Sequence, residues 1–150
     1  RGGKVLIFDA RPVAGQVHCP SWVGPQGREI GPLVAAYLEG AAETIDVCFT
    51  PSLIQSIDYT RCDLGACLSG AIAMYRFRRF AHELRERYSL VLMITPERHR
   101  AGEDDFFTNV SDGLVVVLGE DANPIDVESY VQSLRQGGAM IFGAVTVPQV

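Results

Sequence analysis

The hydrophobic pattern divides the chain into short apolar runs and longer amphipathic segments. The runs cover residues 4–9, 90–94, 112–118 and 139–147, and few polar side chains interrupt them. Runs of this length and composition are typical of strands that are covered on both faces, as in a parallel sheet. We therefore predict buried strands over 4–9, 90–94 and 112–118, a final strand over 139–147, and a shorter strand over 56–59.

Three other segments have the spacing of apolar residues that is typical of helices. The clearest covers 69–87 and the tyrosine that follows, with one apolar stripe at spacings of three and four residues: Met74, Phe77, Ala81, Leu84 and Tyr88. The arginines of this segment lie largely off the stripe, which favours a solvated face over a phosphate- or membrane-binding patch. Residues 32–39 predict a short helix. Asn123 and Pro124 predict the N-cap and first turn of a helix that stops at Gly137.

The order of these elements predicts an α/β fold with a mostly parallel sheet flanked by helices. The strand, helix and strand over 112–147 form one β-α-β unit, whose strands we expect to be parallel. At 150 residues the chain is expected to be a single domain, 1–150. It starts at Arg1 directly before a strand and without a methionine, so we expect a fragment of a longer protein.

Composition excludes several classes of function. The formal net charge of −5 argues against nucleic acid as a partner, because phosphate binding needs a basic face. No apolar run approaches the roughly 18 residues of a transmembrane helix.

The cysteines lack the paired spacing of a zinc site, so they are expected to be small apolar side chains: Cys19, Cys48, Cys62 and Cys67. The acidic run at 103–105 is predicted to be solvated within a polar loop over 96–105, rather than to hold a cation.

The chain has twelve arginines but a single lysine, Lys4. A mechanism that requires a catalytic or phosphate-binding lysine within these residues must therefore use Lys4. The sequence Gly2-Gly3-Lys4 does not predict a phosphate-binding loop, because that loop precedes a helix whose amides face the phosphates, whereas these residues precede a strand.

Several of these segments resemble parts of the bacterial tyrosine kinases. Those enzymes are P-loop proteins of the MinD/ParA type that form the cytoplasmic domain of exopolysaccharide chain-length and export proteins. Residues 111–145 resemble the last β-α-β unit of the family, and 75–88 resemble the helix that leads into its Walker B strand. Residues 4–9 resemble the Walker A′ strand, and 31–40 the short helix after it. The resemblance is collinear over nearly all of the chain and implies a P-loop NTPase-like three-layer sandwich.

The chain departs from the family at the positions that carry its chemistry. Asp9 matches the first Walker A′ carboxylate, Arg11 stands where the second belongs, and Ile94 replaces the Walker B acid before Thr-Pro. Phosphoryl transfer relies on Mg²⁺ held by such oxygen ligands. We therefore expect no functional catalytic, cofactor-binding or metal-binding residue, and no cofactor. If strand 90–94 is buried and purely structural, replacing Ile94 by aspartate should cost several kcal/mol, on the order typical of an unpaired buried carboxylate.

The resemblance implies a non-catalytic, kinase-like domain that acts as an interaction and assembly module at the cytoplasmic face of the bacterial inner membrane. The expected partners are proteins of a polysaccharide export or polymerisation assembly. A homo-oligomer is also open, and membrane contact is expected only through the parent chain.

Three alternatives stay open at the sequence level. One is an active ATP-binding kinase or ATPase of the same family, with its phosphate loop upstream of Arg1 and with ATP and Mg²⁺ as cofactors. Another is a receiver-like signalling domain, which needs a lysine near the end of its fifth strand, whereas none follows Lys4. The third is an α/β domain with an unrelated role.

Overall fold

The computed structural model describes residues 3–11, 20–23, 30–63, 71–95 and 103–148. It divides the chain into two compact units, Arg1–Glu97 and Arg98–Val150. The first unit contains β1 (Val5–Asp9), α1 (Ile30–Glu39), β2 (Thr50–Pro51), β3 (Ile57–Arg61), α2 (Ala71–Arg87) and β4 (Leu90–Ile94), with 3-10 helices at Ser21–Val23 and Ile45–Cys48. The second contains α3 (Glu103–Val110), β5 (Leu114–Gly119), α4 (Pro124–Gln136) and β6 (Ile141–Val147). That the chain is one domain of a longer protein stays a prediction.

The sheet of the first unit has the strand order β2-β3-β1-β4. Strands β3 and β4 pair with β1 on either side, both parallel to it, and only β2 runs antiparallel. In this register Val5 lies opposite Ile57 and Leu90. The three parallel strands therefore start together along one side of the sheet, its amino-terminal edge, and end together along the opposite side, its carboxyl edge. The predicted α/β class with a mostly parallel sheet is confirmed.

The core of the first unit is aromatic and lies between β1 and α2. Phe77 and Phe80 of α2 each place their rings 6.1 Å from the ring of Phe8. The predicted apolar stripe omitted Phe80, although it lies three residues after Phe77 and is fully buried. Helix α1 is joined to α2 by the Tyr37 hydroxyl, which donates to Glu83 at 2.7 Å. Burial of these rings is what holds the helices on the sheet.

Strand β4 is not covered on both faces, and the prediction of a doubly buried strand was wrong. In the described part of the chain β4 is the edge strand of its sheet and pairs only with β1. Its side chains alternate between half-buried and exposed, and those of Leu90, Leu92 and Ile94 are exposed. An unbroken apolar run does not distinguish a central strand from an edge strand, because that depends on neighbours distant in sequence.

The second unit confirms the predicted β-α-β arrangement. Strands β5 and β6 are parallel and are joined by α4. The Asn123 side chain accepts a hydrogen bond from the Ile125 backbone N–H at 3.0 Å and so caps α4, with Pro124 in the first turn. Helix α4 ends at Gly137 as predicted. Within β5 only Val116 is buried, so the prediction of burial on both faces was wrong here too.

Helix α3 lies partly where the sequence predicted a polar loop over 96–105. It begins at Glu103, so the acidic run that was expected to be solvated loop forms its first turn. Residues 96–102 lie outside the described part of the chain. Among the helices that are described, none is long and apolar enough to cross a membrane.

Candidate functional site

Asp9 and Ile94 lie side by side where the parallel strands of the first unit's sheet end, and Arg11 binds Asp9 there, whereas Lys4 lies where the strands start. The register places Asp9, the last residue of β1, between Arg61 of β3 and Ile94 of β4. Two backbone hydrogen bonds extend the pairing, from the Cys62 N–H to the Asp9 carbonyl at 3.0 Å and from the Ala10 N–H to the Ile94 carbonyl at 2.8 Å. This is the carboxyl edge of the parallel strands, where ligands bind in open α/β sheets.

Asp9 is buried, with 1% of its surface exposed, and its carboxylate is bound by Arg11. The Arg11 side chain donates from Nε to Oδ1 and from Nη2 to Oδ2, each at 2.9 Å. The backbone N–H of Arg11 also donates to Oδ1 at 3.2 Å, and the Tyr59 hydroxyl donates to Oδ2 at 3.4 Å. Both carboxylate oxygens therefore already accept hydrogen bonds from the protein, in the two-pronged geometry typical of arginine.

The electrostatics of this pair keep Asp9 ionised. Burial by itself raises the pKa of Asp9. The side-chain and backbone hydrogen bonds from Arg11, together with the charges of Arg11 and Arg61, outweigh that effect and hold the pKa below its usual value. Asp9 is thus a carboxylate at neutral pH, hydrogen-bonded to Arg11 and stabilised further by the positive charge of Arg61.

Arg61 is the residue of this site that the sequence analysis missed. It is only 9% exposed, and its Nε has no hydrogen-bond partner in the described part of the chain. A buried guanidinium is costly unless a negative charge compensates it, and the register partner of Arg61 is Asp9. Arg61 lies two residues beyond the predicted strand over 56–59, where an arginine is usually solvated. Only the pairing of β3 with β1 could have shown that it is buried beside Asp9 in the sheet.

This arrangement provides few ligands for a divalent metal ion. Mg²⁺ binds oxygen ligands in an octahedral geometry, usually including one or two carboxylates. The Asp9 carboxylate is already bound by Arg11 and acted on by the charge of Arg61, and the side chain of Ile94 supplies no polar atom. In the stretches that the structure describes, no group of three or more His, Cys, Asp or Glu residues could hold a metal ion. The absence of metal, cofactor and catalytic residues at this site stays a prediction.

Two of the four cysteines lie in the described part of the chain, Cys48 and Cys62, and both are buried. Burial raises the pKa of the Cys48 thiol to about 11, so this residue is a protonated apolar side chain at neutral pH rather than a nucleophile. Cys19 and Cys67 lie outside the described residues.

The position of Ile94 changes the expected cost of an acid at this place. Because Ile94 is 41% exposed, Ile94→Asp should lower the free energy of unfolding by about 1 kcal/mol, the typical cost of a point substitution, rather than by several. Urea denaturation measures this cost, and Ile94→Asn serves as the uncharged control. A loss above about 4 kcal/mol would show that the position is buried in solution.

Comparison with known proteins places this geometry in a recognised fold. No protein-family model matches the chain, and no curated protein sequence matches it. Among solved structures, the kinase domain of VpsO is similar with a TM-score of 0.74 and 18% identity, over 99% of this chain and 72% of that one. The kinase domain of the Escherichia coli tyrosine kinase ETK is similar with a TM-score of 0.64 and 20% identity, over 98% and 57%.

A cobyrinic acid a,c-diamide synthase from Mycobacterium smegmatis is similar with a TM-score of 0.67 and 16% identity, over 98% of this chain and 62% of that one. The chain thus spans between 57% and 72% of the lengths of these three structures. The predicted P-loop NTPase-like fold is confirmed, and so is the resemblance to bacterial tyrosine kinase domains at the level of the fold. Identities this low establish nothing about activity.

Proposed function

We propose that this chain is a kinase-like domain that has lost phosphoryl transfer and serves as an interaction and assembly module of an exopolysaccharide biosynthesis or transport protein. The observation that carries this proposal is the hydrogen bonding of Asp9, since both of its carboxylate oxygens are engaged by Arg11. The carboxylate that would hold Mg²⁺ in an active member is thus part of an internal ion pair.

A magnesium ion at Asp9 would meet more repulsion than attraction. The charges of Arg11 and Arg61 both act on Asp9, so two positive charges oppose the one negative charge of this carboxylate. Two unit charges 4 Å apart interact by about 4 kcal/mol at an effective dielectric constant of about 20, and the energy doubles for a divalent ion. One carboxylate therefore cannot offset two guanidinium groups, so binding Mg²⁺ would require Arg11 to leave Asp9.

Titration of the 150-residue chain with Mn²⁺, followed by the electron paramagnetic resonance signal of the free ion, tests this proposal. We expect no binding by the wild type and weak binding by Arg11→Asp, which replaces the blocking guanidinium with a second carboxylate. Arg78→Asp makes the same change of charge on the exposed face of α2 and should bind no Mn²⁺. Calorimetry with Mg·ATP should likewise give no binding heat for the wild type.

Tight binding of Mg·ATP by the wild type would overturn the proposal, and so would Mn²⁺ binding that Asp9→Asn abolishes. Circular dichroism confirms that each variant is folded before it is titrated.

The alternative is an active ATP-binding kinase or ATPase whose phosphate loop lies upstream of Arg1. The chain spans 57% of the length of the ETK kinase domain. A Gly-rich loop ending in Gly-Lys-Thr or Gly-Lys-Ser, encoded directly before Arg1, would support it. The receiver-like alternative has no such observation in its favour.

The place and partners of the module follow from the same proposal. The domain would lie at the cytoplasmic face of the bacterial inner membrane, attached through its parent chain, and would contact protein partners of a polysaccharide export or polymerisation assembly or further copies of itself. Its net charge of −5 disfavours nucleic acid.

A further inference from the structure

A pocket opens at the amino-terminal edge of the first unit's sheet, opposite the edge that holds Asp9. Its volume is about 490 Å³, within the range typical of small-molecule sites. It is lined by Lys4, Asp46, Phe49, Pro51, Asp58, Arg87 and Tyr88. All seven residues are described and belong to the first unit. The pocket lies at the starts of the strands, so the chemistry considered for Asp9 at their carboxyl ends does not explain it.

A buried carboxylate forms the base of this pocket. Asp58 is 7% exposed, and its Oδ2 accepts a hydrogen bond from the Tyr88 hydroxyl at 2.9 Å and another from Lys4 Nζ at 3.1 Å. Burial, with a further contribution from Asp58, raises the pKa of Tyr88, so the phenol keeps its proton and remains a donor. Asp58 thereby fixes the ammonium group of the only lysine at the pocket.

The backbone of Lys4 is held just as firmly. The Lys4 carbonyl accepts hydrogen bonds from both the backbone N–H and the hydroxyl of Ser89, each at 2.9 Å. A Cβ atom on Gly3 would lie 2.0 Å from the Ser89 hydroxyl oxygen, so this close approach requires glycine at position 3. Lys4 therefore presents an exposed ammonium group from a backbone position that these hydrogen bonds fix.

Two cations line the pocket, and each has more donors than the acceptors described for it. Lys4 carries three N–H donors, and its acceptor in the described part of the chain is Asp58. Arg87, the last residue of α2, carries five N–H donors and is bonded to Asp46. Its hydrogen bond to Asp46 holds the pKa of that carboxyl below its usual value, so both members of the pair are charged. Both side chains are exposed, so water accepts from the remaining donors, and an oxyanion in the pocket would replace that water with charge-assisted hydrogen bonds.

The apolar part of the pocket is rigid. Phe49 and Pro51 line it, and the ring of Phe49 lies edge-on to that of Tyr88 at 5.5 Å. The same ring stacks on Phe80 of the core at 6.5 Å. A flat apolar group can therefore pack against a surface that is already ordered, which lowers the entropic cost of binding.

We propose that this pocket binds a small aromatic oxyanion, a ring that carries a phosphate or carboxylate group. The oxyanion lies between Lys4 and Arg87, and the ring packs against Phe49 and Pro51. This site is independent of the function proposed above.

The single lysine provides a direct test. In the 150-residue chain labelled with ¹³Cε-lysine, one side-chain NMR signal reports Lys4. We expect a saturable shift of this signal with phenyl phosphate or with benzoate, and the probe that binds more tightly identifies the anionic group. Benzamide, which lacks the charge, should cause no shift. Inorganic phosphate, which lacks the ring, should bind at least about tenfold more weakly.

Substitutions complete the test, with binding followed by the amide signals of residues 87–89. Lys4→Gln should weaken binding of the preferred probe at least about tenfold, whereas Arg78→Gln, the same loss of charge on an exposed face, should not change it. Because Lys4→Gln leaves Asp58 with one partner fewer, Arg87→Gln provides a second test of the same prediction. No saturable shift with either aromatic anion, equal affinity for inorganic phosphate, or unchanged affinity in both pocket variants would overturn the proposal.

Discussion

Replacing Asp9 by asparagine is expected to lower the free energy of unfolding by about 3–5 kcal/mol, the cost typical of removing one partner from a buried ion pair. Asparagine has nearly the same shape, so the loss reports charge rather than volume. The guanidinium of Arg61 would remain buried without a compensating carboxylate at its register position. Arg11 adds less to this loss because its side chain is half exposed. Urea unfolding followed by circular dichroism measures the change.

The same substitution should change how stability depends on pH. The pKa of Asp9 is lowered in the folded state, whereas in the unfolded chain it is about 3.9. The carboxylate therefore contributes stability above about pH 4 and loses that contribution as the pH falls through the folded-state pKa. The difference in stability between the wild type and Asp9→Asn should shrink in this acidic range. A difference that is equal at pH 7 and pH 3 would contradict the assignment.

Two further variants test whether the stability lost in Asp9→Asn comes from the missing charge or from a nonspecific effect of substitution. Glu43→Gln removes an exposed carboxylate of the same unit and should change stability by no more than about 0.5 kcal/mol. Arg61→Met removes the buried guanidinium, and Asp9→Asn should cost less in that background by about 0.5–3 kcal/mol, the usual coupling of residues in contact. Equal costs in both backgrounds would show that Asp9 does not compensate Arg61.

The sequence predicted elements whose signals are local. Helix α2 follows from its apolar spacing, and α4 follows from the cap at Asn123 and the glycine that ends it. It did not predict the exposure of β4, because burial depends on which strands and helices lie beside it. It also missed α3, because the run of acidic residues at its start is more typical of a solvated loop than of a helix.

The candidate site was predictable only in part, for a similar reason. Asp9, Arg11 and Ile94 could be identified because each follows an apolar run or matches a motif position. That Arg11 binds Asp9 with both side-chain nitrogens depends on how the chain turns after β1, and the presence of Arg61 depends on the pairing of β1 with β3. These are contacts between residues and strands, and neither periodicity nor composition encodes them.

Phe80→Ala is expected to be as destabilising as the loss of Asp9, at about 3–5 kcal/mol, the usual cost of a buried phenylalanine. Phe80 is fully buried, and its ring lies 5.7–6.5 Å from four others: Phe8, Tyr37, Phe49 and Phe77. Because these rings come from different elements, they cannot all close the space that alanine leaves. Tyr75→Ala, at a 71% exposed position of the same helix, is the matched control and should cost less than about 1 kcal/mol.

The outcome also bears on which residues hold this fold together. None of the rings around Phe80 contacts the carboxylate of Asp9 through a described hydrogen bond. Asp9→Asn should therefore lower the free energy of unfolding by the same amount with Phe80→Ala as without it, as expected for sites without shared partners. Because Phe49 stacks on Phe80 and lines the amino-edge pocket, Phe80→Ala should also weaken binding there. A loss below about 1 kcal/mol would mean that the aromatic cluster does not hold α2 on the sheet. The predicted loss, together with additive costs of Phe80→Ala and Asp9→Asn, would show that the core stabilises the fold independently of the residues at the carboxyl edge.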